Sequence, residues 1–215
     1  MSVLKRVSII GCVVLLSLSA FACKREAKSA PSMINNGDSD FELTLASATF
    51  DYENAFTSRD ISAKYDENVY NIQLKDNNSS CDNPKTVINK NVITLTNTGT
   101  YIIEGELSDG QIIVDADSTD KIQLVLNNAS VNNNSSSAIK IVQAKKVFIT
   151  LAENSSNTLS SPNEFVKTET DKADGAIYSK EKLTLNGNGK LSVKSPYGHG
   201  IVCNDDLIIT DGEYI

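Results

Sequence analysis

The chain contains no tryptophan, one histidine and only 6% aromatic residues. Without tryptophan, no flat stacking platform for a ring-shaped ligand is evident. The one histidine, His199, lies in Tyr197-Gly198-His199-Gly200, a pattern typical of a turn, and no partner can be assigned to it. The sequence therefore gives no support for a Ser/His/Asp or Cys/His nucleophile.

Cysteine is also scarce, with four in the whole chain. Only Cys81 and Cys203 lie in the body of the chain, so one pairing is possible, and the sequence cannot establish it. A fold that depends on a network of disulfides is excluded.

Long apolar runs are scarce: the N-terminal run is shorter than the roughly 20 residues that a membrane-spanning helix needs, so a permanent transmembrane anchor is the weaker alternative. The longest apolar run near the N-terminus, Val7–Leu16, follows Lys5 and Arg6 and precedes small residues. This order is typical of an export signal, so residues 1–22 are predicted to be a cleaved signal peptide.

Two cleavage patterns are present. Ala22-Cys23 fits the end of a bacterial lipobox and predicts lipidation of Cys23, whereas Ala20-Phe21-Ala22 fits ordinary secretion. We favour an exported lipoprotein at the cell surface or outer membrane, with secretion as the alternative. Residues 23–50 are polar and predict a disordered tether, followed by an N-terminal lead-in over 51–86.

The net charge is −7, and the segment 1–31 contains five Lys or Arg but only one acidic residue. The remainder is thus more acidic than the whole chain. This charge argues against nucleic acid and anionic membranes as partners, and membrane contact is expected only through the lipid.

Short apolar runs alternate with Asn, Gly, Asp and Ser clusters from about residue 87 onward, which predicts strands and turns. No long helix is expected after residue 60. The predicted class is therefore all-β.

One strand pattern recurs: Lys121-Ile122-Gln123-Leu124-Val125-Leu126 returns as Lys146-Val147-Phe148-Ile149-Thr150-Leu151. Further copies begin at Lys182 and Asp206, and Ala176-Ile177-Tyr178-Ser179 aligns with Gly200-Ile201-Val202-Cys203 at nearly the same interval. A unit of this length holds three short strands, so residues 87–215 are predicted to form a parallel β-helix. An antiparallel sandwich is the alternative, but it does not require the recurrence.

Several segments resemble a known family: Phe56-Thr57-Ser58-Arg59-Asp60, Gly99-Thr100-Tyr101-Ile102-Ile103-Glu104-Gly105 and Gly200-Ile201-Val202-Cys203-Asn204-Asp205-Asp206-Leu207. They are similar to a bacterial carbohydrate-binding family typified by a clostridial cellulose- and pectin-binding protein. The resemblance implies a polysaccharide-lyase-like, right-handed parallel β-helix that binds calcium outside the cell, without established catalysis. It also implies further coils, so the chain, which stops within a repeat, is expected to be truncated at the C-terminus.

Acidic residues suggest two candidate calcium sites. The recurrence stacks Glu181 near Asp205 and Asp206, and with Asn204 these side chains could supply several oxygen ligands. The alternative is a salt ladder in which Lys182 neutralises Glu181. Asp171 and Asp174, in the polar stretch that interrupts the recurrence, are the second candidates.

Sugar contacts are assigned to tyrosine, with Tyr101, Tyr178, Tyr197 and Tyr214 expected at the surface and Tyr178 and Tyr197 as substrate-binding residues. Because the body is acidic, calcium bridging is the expected route to acidic sugars such as polygalacturonate.

The predicted function is calcium-dependent, non-catalytic binding of a plant-type polysaccharide, either cellulose or an acidic polymer. A polysaccharide lyase with its catalytic coils beyond residue 215 and a surface adhesin without glycan specificity are the alternatives.

Overall fold

The computed structural model describes residues 56–65, 69–168 and 171–215. The predicted signal peptide, Cys23 and the tether lie outside the described residues. Within the described part, one short helix, α1 (Ser58–Ile61), precedes the strands, and no helix there is long and apolar enough to cross a membrane. The strands are β1 (Val69–Leu74), β2 (Ser80–Cys81), β3 (Val87–Asn89), β4 (Val92–Leu95), β5 (Gly99–Leu107), β6 (Gln111–Asp115), β7 (Lys121–Asn132), β8 (Ile139–Gln143), β9 (Lys146–Leu151), β10 (Ser156–Ser160), β11 (Gly175–Ser179), β12 (Leu183–Gly187), β13 (Lys190–Lys194), β14 (His199–Cys203), β15 (Leu207–Ile209) and β16 (Glu213–Tyr214).

The apolar alternation of the sequence becomes the two faces of each strand. In β9, Val147, Ile149 and Leu151 belong to the hydrophobic core, while Phe148 and Thr150 point to the opposite face. Alternation of this kind places β-branched and aliphatic side chains on one inward surface.

The strands form a ten-stranded and a six-stranded sheet. The six-stranded sheet has the order β14-β11-β8-β6-β4-β3, and the main path of the larger sheet is β15-β12-β9-β7-β10-β13-β16. Both sheets are mixed, because β1–β2 and β3–β4 pair antiparallel while the other recorded pairs are parallel. The all-β prediction is confirmed.

Two long strands divide the larger sheet into two rows. The first half of β7 pairs with β9 and its second half pairs with β10. Strand β5 pairs with both halves of β7, with a register irregularity between Ile103 and Gly105. The chain thus visits three rows of parallel strands in turn, as in the successions β8-β9-β10 and β11-β12-β13.

The recurrence found in the sequence corresponds to the strand register. Lys121 pairs with Lys146, and Ile177 pairs with both Ile139 and Ile201. Both alignments deduced from the sequence therefore join residues that lie side by side on neighbouring strands.

Stacking places equivalent side chains in continuous apolar columns. Ile122, Val147 and Leu183 are neighbours in one column and have no exposed surface. Complete burial of each such side chain stabilises the fold by about 1.5–3 kcal/mol. The column reaches solvent at Leu207, on the outermost strand of the row.

The Asn and Gly clusters form the corners, as the sequence predicts. Asn128 and Asn154 have φ values of 57° and 61°, a conformation that Asn tolerates better than most residues. Gly187 turns the chain after β12 with φ +96°, and a Cβ there would lie 2.2 Å from the Leu151 carbonyl oxygen. Only glycine fits that corner.

Two expectations are wrong. The strands do not begin at residue 87, because β1 already pairs in parallel with β5. Tyr101 and Tyr178 are not at the surface: Tyr101 is fully buried and its hydroxyl donates to the Asn97 carbonyl oxygen, and Tyr178 is 7% exposed. Packing of these rings against apolar side chains of the sheet is more favourable than their exposure to water.

Candidate functional site

A hollow of about 660 Å³, here called the β14 hollow, opens beside β11 and β14. It lies along the edge strands β14 and β15 of the two sheets, and several of its polar side chains are exposed. Its lining residues are Lys172, Asp174, Tyr178, His199, Ile201, Val202, Cys203, Asn204 and Leu207.

The turn before β14 places His199 on the rim. Gly198 has φ +88°, and a Cβ on it would lie 2.2 Å from the Asp174 carbonyl oxygen. The His199 backbone N–H donates to that same oxygen at 2.8 Å. The glycine therefore lets the turn approach the segment before β11, and His199 and Asp174 lie on the same rim.

Tyr178 and Asn204 are joined by a hydrogen bond, since the Asn204 Nδ2 donates to the Tyr178 Oη at 3.0 Å. The Tyr178 ring is buried and offers no face on which a sugar could stack. The predicted role of Tyr178 is corrected accordingly: what it presents to the hollow is the hydroxyl end, held by Asn204.

The polar stretch before β11 packs against the six-stranded sheet. Phe165 is buried, and the Val166 N–H donates to the Ser135 carbonyl oxygen at 2.8 Å. Asp171 forms an ion pair with Lys140 of β8 at 2.5 Å. Burial raises the pKa of Asp171, but the hydrogen bonds from Lys140 and the Ala173 N–H and the charges of Lys140 and Lys180 together outweigh it, and the pKa lies below its usual value. The carboxylate thus fixes one wall of the hollow.

The two body cysteines are free thiols. The Cys203 Sγ lies 3.3 Å from the Glu181 carbonyl oxygen, and burial raises the pKa of the thiol. Cys81 is on β2 and contacts Thr86 instead. Cys203 therefore lines the hollow as a partly buried free thiol.

The side chains suggested for calcium do not converge. Asp206 pairs with Lys182 at 2.6 Å, Asp171 pairs with Lys140, and Asp174 lies 3.7 Å from Lys167. Within residues 56–65, 69–168 and 171–215, no three His, Cys, Asp or Glu side chains are grouped to hold a metal ion. Three of the six suggested side chains, Asp206, Asp171 and Asp174, are thus paired with lysine.

Lys182 forms a salt bridge, as the salt-ladder alternative predicts, but with a different acidic partner. The sequence alternative pairs Lys182 with Glu181, but Lys182 contacts Asp206, which is 24 residues further along the chain. The pKa of Lys182 is raised and that of Asp206 is lowered by their hydrogen bond. Both side chains are largely exposed, so the pair adds little to stability.

The structure brings together three of the residues selected from sequence, Asp174, Tyr178 and Asn204, in the β14 hollow. Glu181, Asp205, Asp206, Asp171 and Tyr197 are not among its lining residues, although Tyr197 is exposed close to the turn of His199.

Lys172 and His199 also line the hollow, although the sequence pattern assigned neither to a site and indicated a turn at His199. The recurrence could have found His199, since it pairs with Gly175 at the start of β14 and so lies on a strand. No sequence pattern indicated Lys172.

The β14 hollow offers both hydrogen-bond donors and hydrogen-bond acceptors, and it contains side chains of both charges. Lys172 supplies an ammonium, Asp174 a carboxylate, and Asn204 an amide. This set can hold a hydroxyl-rich ligand through several directional contacts, with apolar side chains beneath it.

Residues 89–215 match the model of a family described as carbohydrate-binding domain-containing proteins. A protein of that description from Acetivibrio thermocellus is 35% identical over 127 residues, which are 58% of this chain and 44% of the relative. A solved structure, described as the polysaccharide lyase-like protein from C. thermocellum in a gadolinium derivative, is 32% identical with a TM-score of 0.64. That likeness covers 67% of this chain and 60% of the other.

The chain therefore spans about half the length of these relatives. The family match covers more than half of the chain and includes every strand from β4 to β16. The chain belongs to the family of carbohydrate-binding domain-containing proteins.

Proposed function

We propose that this protein binds polysaccharide without cleaving it, and that the β14 hollow is a contact site. The observation that carries the proposal is the grouping of Lys172, His199 and Asn204 around a solvent-open hollow in a domain of this family. Hydroxyl groups need donors and acceptors in a fixed arrangement, and side chains on neighbouring strands provide one.

The fold that supports this site is, in our proposal, a right-handed parallel β-helix. Three rows of parallel strands visited in turn are what such a helix requires, and the antiparallel pairing of a sandwich is confined to β1–β2 and β3–β4 among the recorded pairs. Parallel connections are right-handed in nearly all proteins. The likeness to a polysaccharide lyase-like structure supports the same architecture.

The proposed ligand of the β14 hollow is an acidic polysaccharide. Lys172 and the imidazole of His199 can donate to a sugar carboxylate, whereas Asp174 and Asn204 can accept from hydroxyl groups. The proposal includes calcium dependence, because the chain is acidic overall and a cation can bridge it to an acidic sugar. It also includes display outside the cell, because the N-terminal pattern is typical of an export signal.

A polysaccharide lyase is the second candidate, favoured by one feature. His199 and Lys172 are exposed in the same hollow, and elimination beside a sugar carboxylate needs a base and a nearby cation. The ultraviolet absorbance of unsaturated products formed from polygalacturonate distinguishes the two functions. Absorbance that grows with protein concentration and vanishes in His199→Ala would establish catalysis.

The binding proposal is tested by calorimetric titration of the chain with oligogalacturonate. Lys172→Ala is expected to lower the affinity roughly tenfold, since a charge-assisted contact is removed. Lys85→Ala, an exposed lysine elsewhere on the chain, is the matched control and should leave the affinity unchanged. Equal affinities for all three proteins would contradict the assignment of the hollow.

A further inference from the structure

Residues 56–65, here called the strap, cross the outward face of β9 and β12. Asp60 anchors the crossing, because its carboxylate is 1% exposed and accepts from the Lys146 Nζ and the Thr184 Oγ1, each at 2.6 Å. Lys146 is on β9 and Thr184 on β12, so one carboxylate joins the strap to two adjacent strands.

The backbone and the neighbouring arginine hold the strap at further points. The Asp60 carbonyl oxygen accepts from the Thr210 Oγ1 at 2.6 Å and from the Asn186 Nδ2 at 3.2 Å. The Arg59 guanidinium lies 4.6 Å from the centre of the Phe148 ring, a cation–π contact. The strap is therefore fixed in place on the sheet.

Beneath the strap, the outward side chains form a buried polar ladder across three strands. The Gln123 Nε2 donates to the Thr150 Oγ1 at 2.8 Å, and the Thr150 Oγ1 donates to the Asn186 Oδ1 at 2.6 Å. All three side chains are at most 1% exposed. These hydrogen bonds hold the outward side chains in fixed positions, and side chains that are already ordered lower the entropic cost of binding.

A hollow of about 780 Å³ lies beside the strap and is here called the strap hollow. Tyr65 and Ile61 line the strap side and are 47% and 65% exposed, whereas Glu153 and Asn188 line the opposite side. The full lining consists of Ile61, Ser62, Ala63, Lys64, Tyr65, Val125, Thr150, Leu151, Ala152, Glu153 and Asn188.

This lining matches the two-sided chemistry of a sugar ring, which has apolar C–H faces and hydroxyl edges. Tyr65 and Ile61 offer apolar surface, and the Asn188 amide can both donate and accept. Lys64 and Glu153 carry opposite charges, so the hollow has no excess of either sign. A neutral sugar chain fits it better than a charged one.

We propose that the strap hollow is a second glycan-binding site, selective for neutral sugar chains. This rests on the proposed function of the domain, but the strap lies outside the family match over 89–215, and the two hollows share no residue. Two sites on one domain would raise the avidity for a polymer that reaches both.

Calorimetric titration of the chain with cellohexaose tests the second site. Tyr65→Ala is expected to lower the affinity roughly tenfold, while Tyr65→Phe keeps the ring and should retain most of the affinity. Asn188→Ala should also weaken binding, and Lys172→Ala, in the β14 hollow, should leave cellohexaose binding unchanged. Melting temperatures verify that each variant is folded.

Unchanged cellohexaose affinity in both Tyr65→Ala and Asn188→Ala would overturn the second site. The proposed function would still stand if Lys172→Ala weakened oligogalacturonate binding. An equal loss in Tyr65→Phe and Tyr65→Ala would contradict the role of the ring. If neither oligosaccharide bound the unaltered chain, both proposals would be wrong.

Discussion

Asp60 and Lys146 form a buried ion pair between residues 86 positions apart in the chain, with 2.6 Å between the Asp60 Oδ1 and the Lys146 Nζ. The two side chains are 1% and 13% exposed. Thr57 completes the environment, because its N–H and hydroxyl both donate to the Asp60 Oδ2. The pair links the helix α1, which precedes all the strands of the described residues, to the middle of the larger sheet.

Replacing Asp60 with alanine should destabilise the protein by about 3 kcal/mol, because the largely buried Lys146 would lose its ion-pair partner. Chemical denaturation measures the free energy of unfolding. Asp206→Ala, which breaks the exposed pair with Lys182, is the matched control and should change stability little. Similar losses in the two variants would show that the strap is not an anchor.

The contribution of Asp60 should depend on pH in a defined direction. Burial opposes its ionisation, but the hydrogen bonds from Lys146, Thr184 and Thr57 outweigh this, and its pKa lies well below the usual range. A group with a depressed folded-state pKa stabilises the protein fully above its unfolded pKa, roughly 4, and loses that contribution as the pH falls toward the folded value.

Melting temperatures of the unaltered chain and of Asp60→Asn, measured from pH 7 downward, check this dependence. The difference between them should be constant above about pH 5 and shrink at lower pH. A difference that widened on acidification would contradict the assigned sign.

Gly198→Ala should destabilise the turn that carries His199 and weaken binding at the β14 hollow. Its φ is +88°, and a Cβ at this position would lie 2.2 Å from the Asp174 carbonyl oxygen, which leaves no room for a methyl group. We expect a loss of at least about 1 kcal/mol, read from denaturation curves.

Gly200→Ala is the control for this change. It is two residues away, and a Cβ there would meet only Val193, at an ordinary distance of 3.4 Å. Equal effects of the two substitutions would argue against a special role for the Gly198 turn.

Calcium dependence, predicted from the sequence, has a direct test. If Asp205, Asp206, Asn204 and Glu181 provide a calcium site, calcium should raise the melting temperature, a chelator should abolish oligogalacturonate binding, and Asp205→Ala should reduce both responses. A calcium affinity and melting temperature unchanged in Asp205→Ala would remove this corner as the site. Asp117→Ala, another exposed acidic residue, serves as the control.

Much of the strand arrangement could be predicted because parallel stacking places residues one recurrence apart next to each other. The alignment of Lys121 with Lys146 is both a sequence match and a strand pair. Which tyrosines are buried could not be predicted from the same pattern. Tyr178 lies on an outward position between Lys140 and Val202 of the neighbouring strands, yet it is only 7% exposed.

The candidate sites could be predicted less well from the sequence. Asp174 and Asn204 were selected as calcium ligands, but the structure places them with Lys172 and His199 in one hollow. The sequence does not reveal the lysine partners of the acidic residues, since a charge pattern does not specify which neighbouring strand a long side chain reaches.

The alternation of apolar and polar residues and the backbone preferences of Asn and Gly are enough to predict the all-β class, the recurring strand pattern and the corners. Each of these features depends on residues that are close together in the chain. The position of the strap follows only from the folded arrangement. Asp60 meets Thr184 across 124 residues, and no local pattern encodes a contact that forms only when separate strands have stacked. The same holds for both hollows, whose walls come from segments that are distant in the chain.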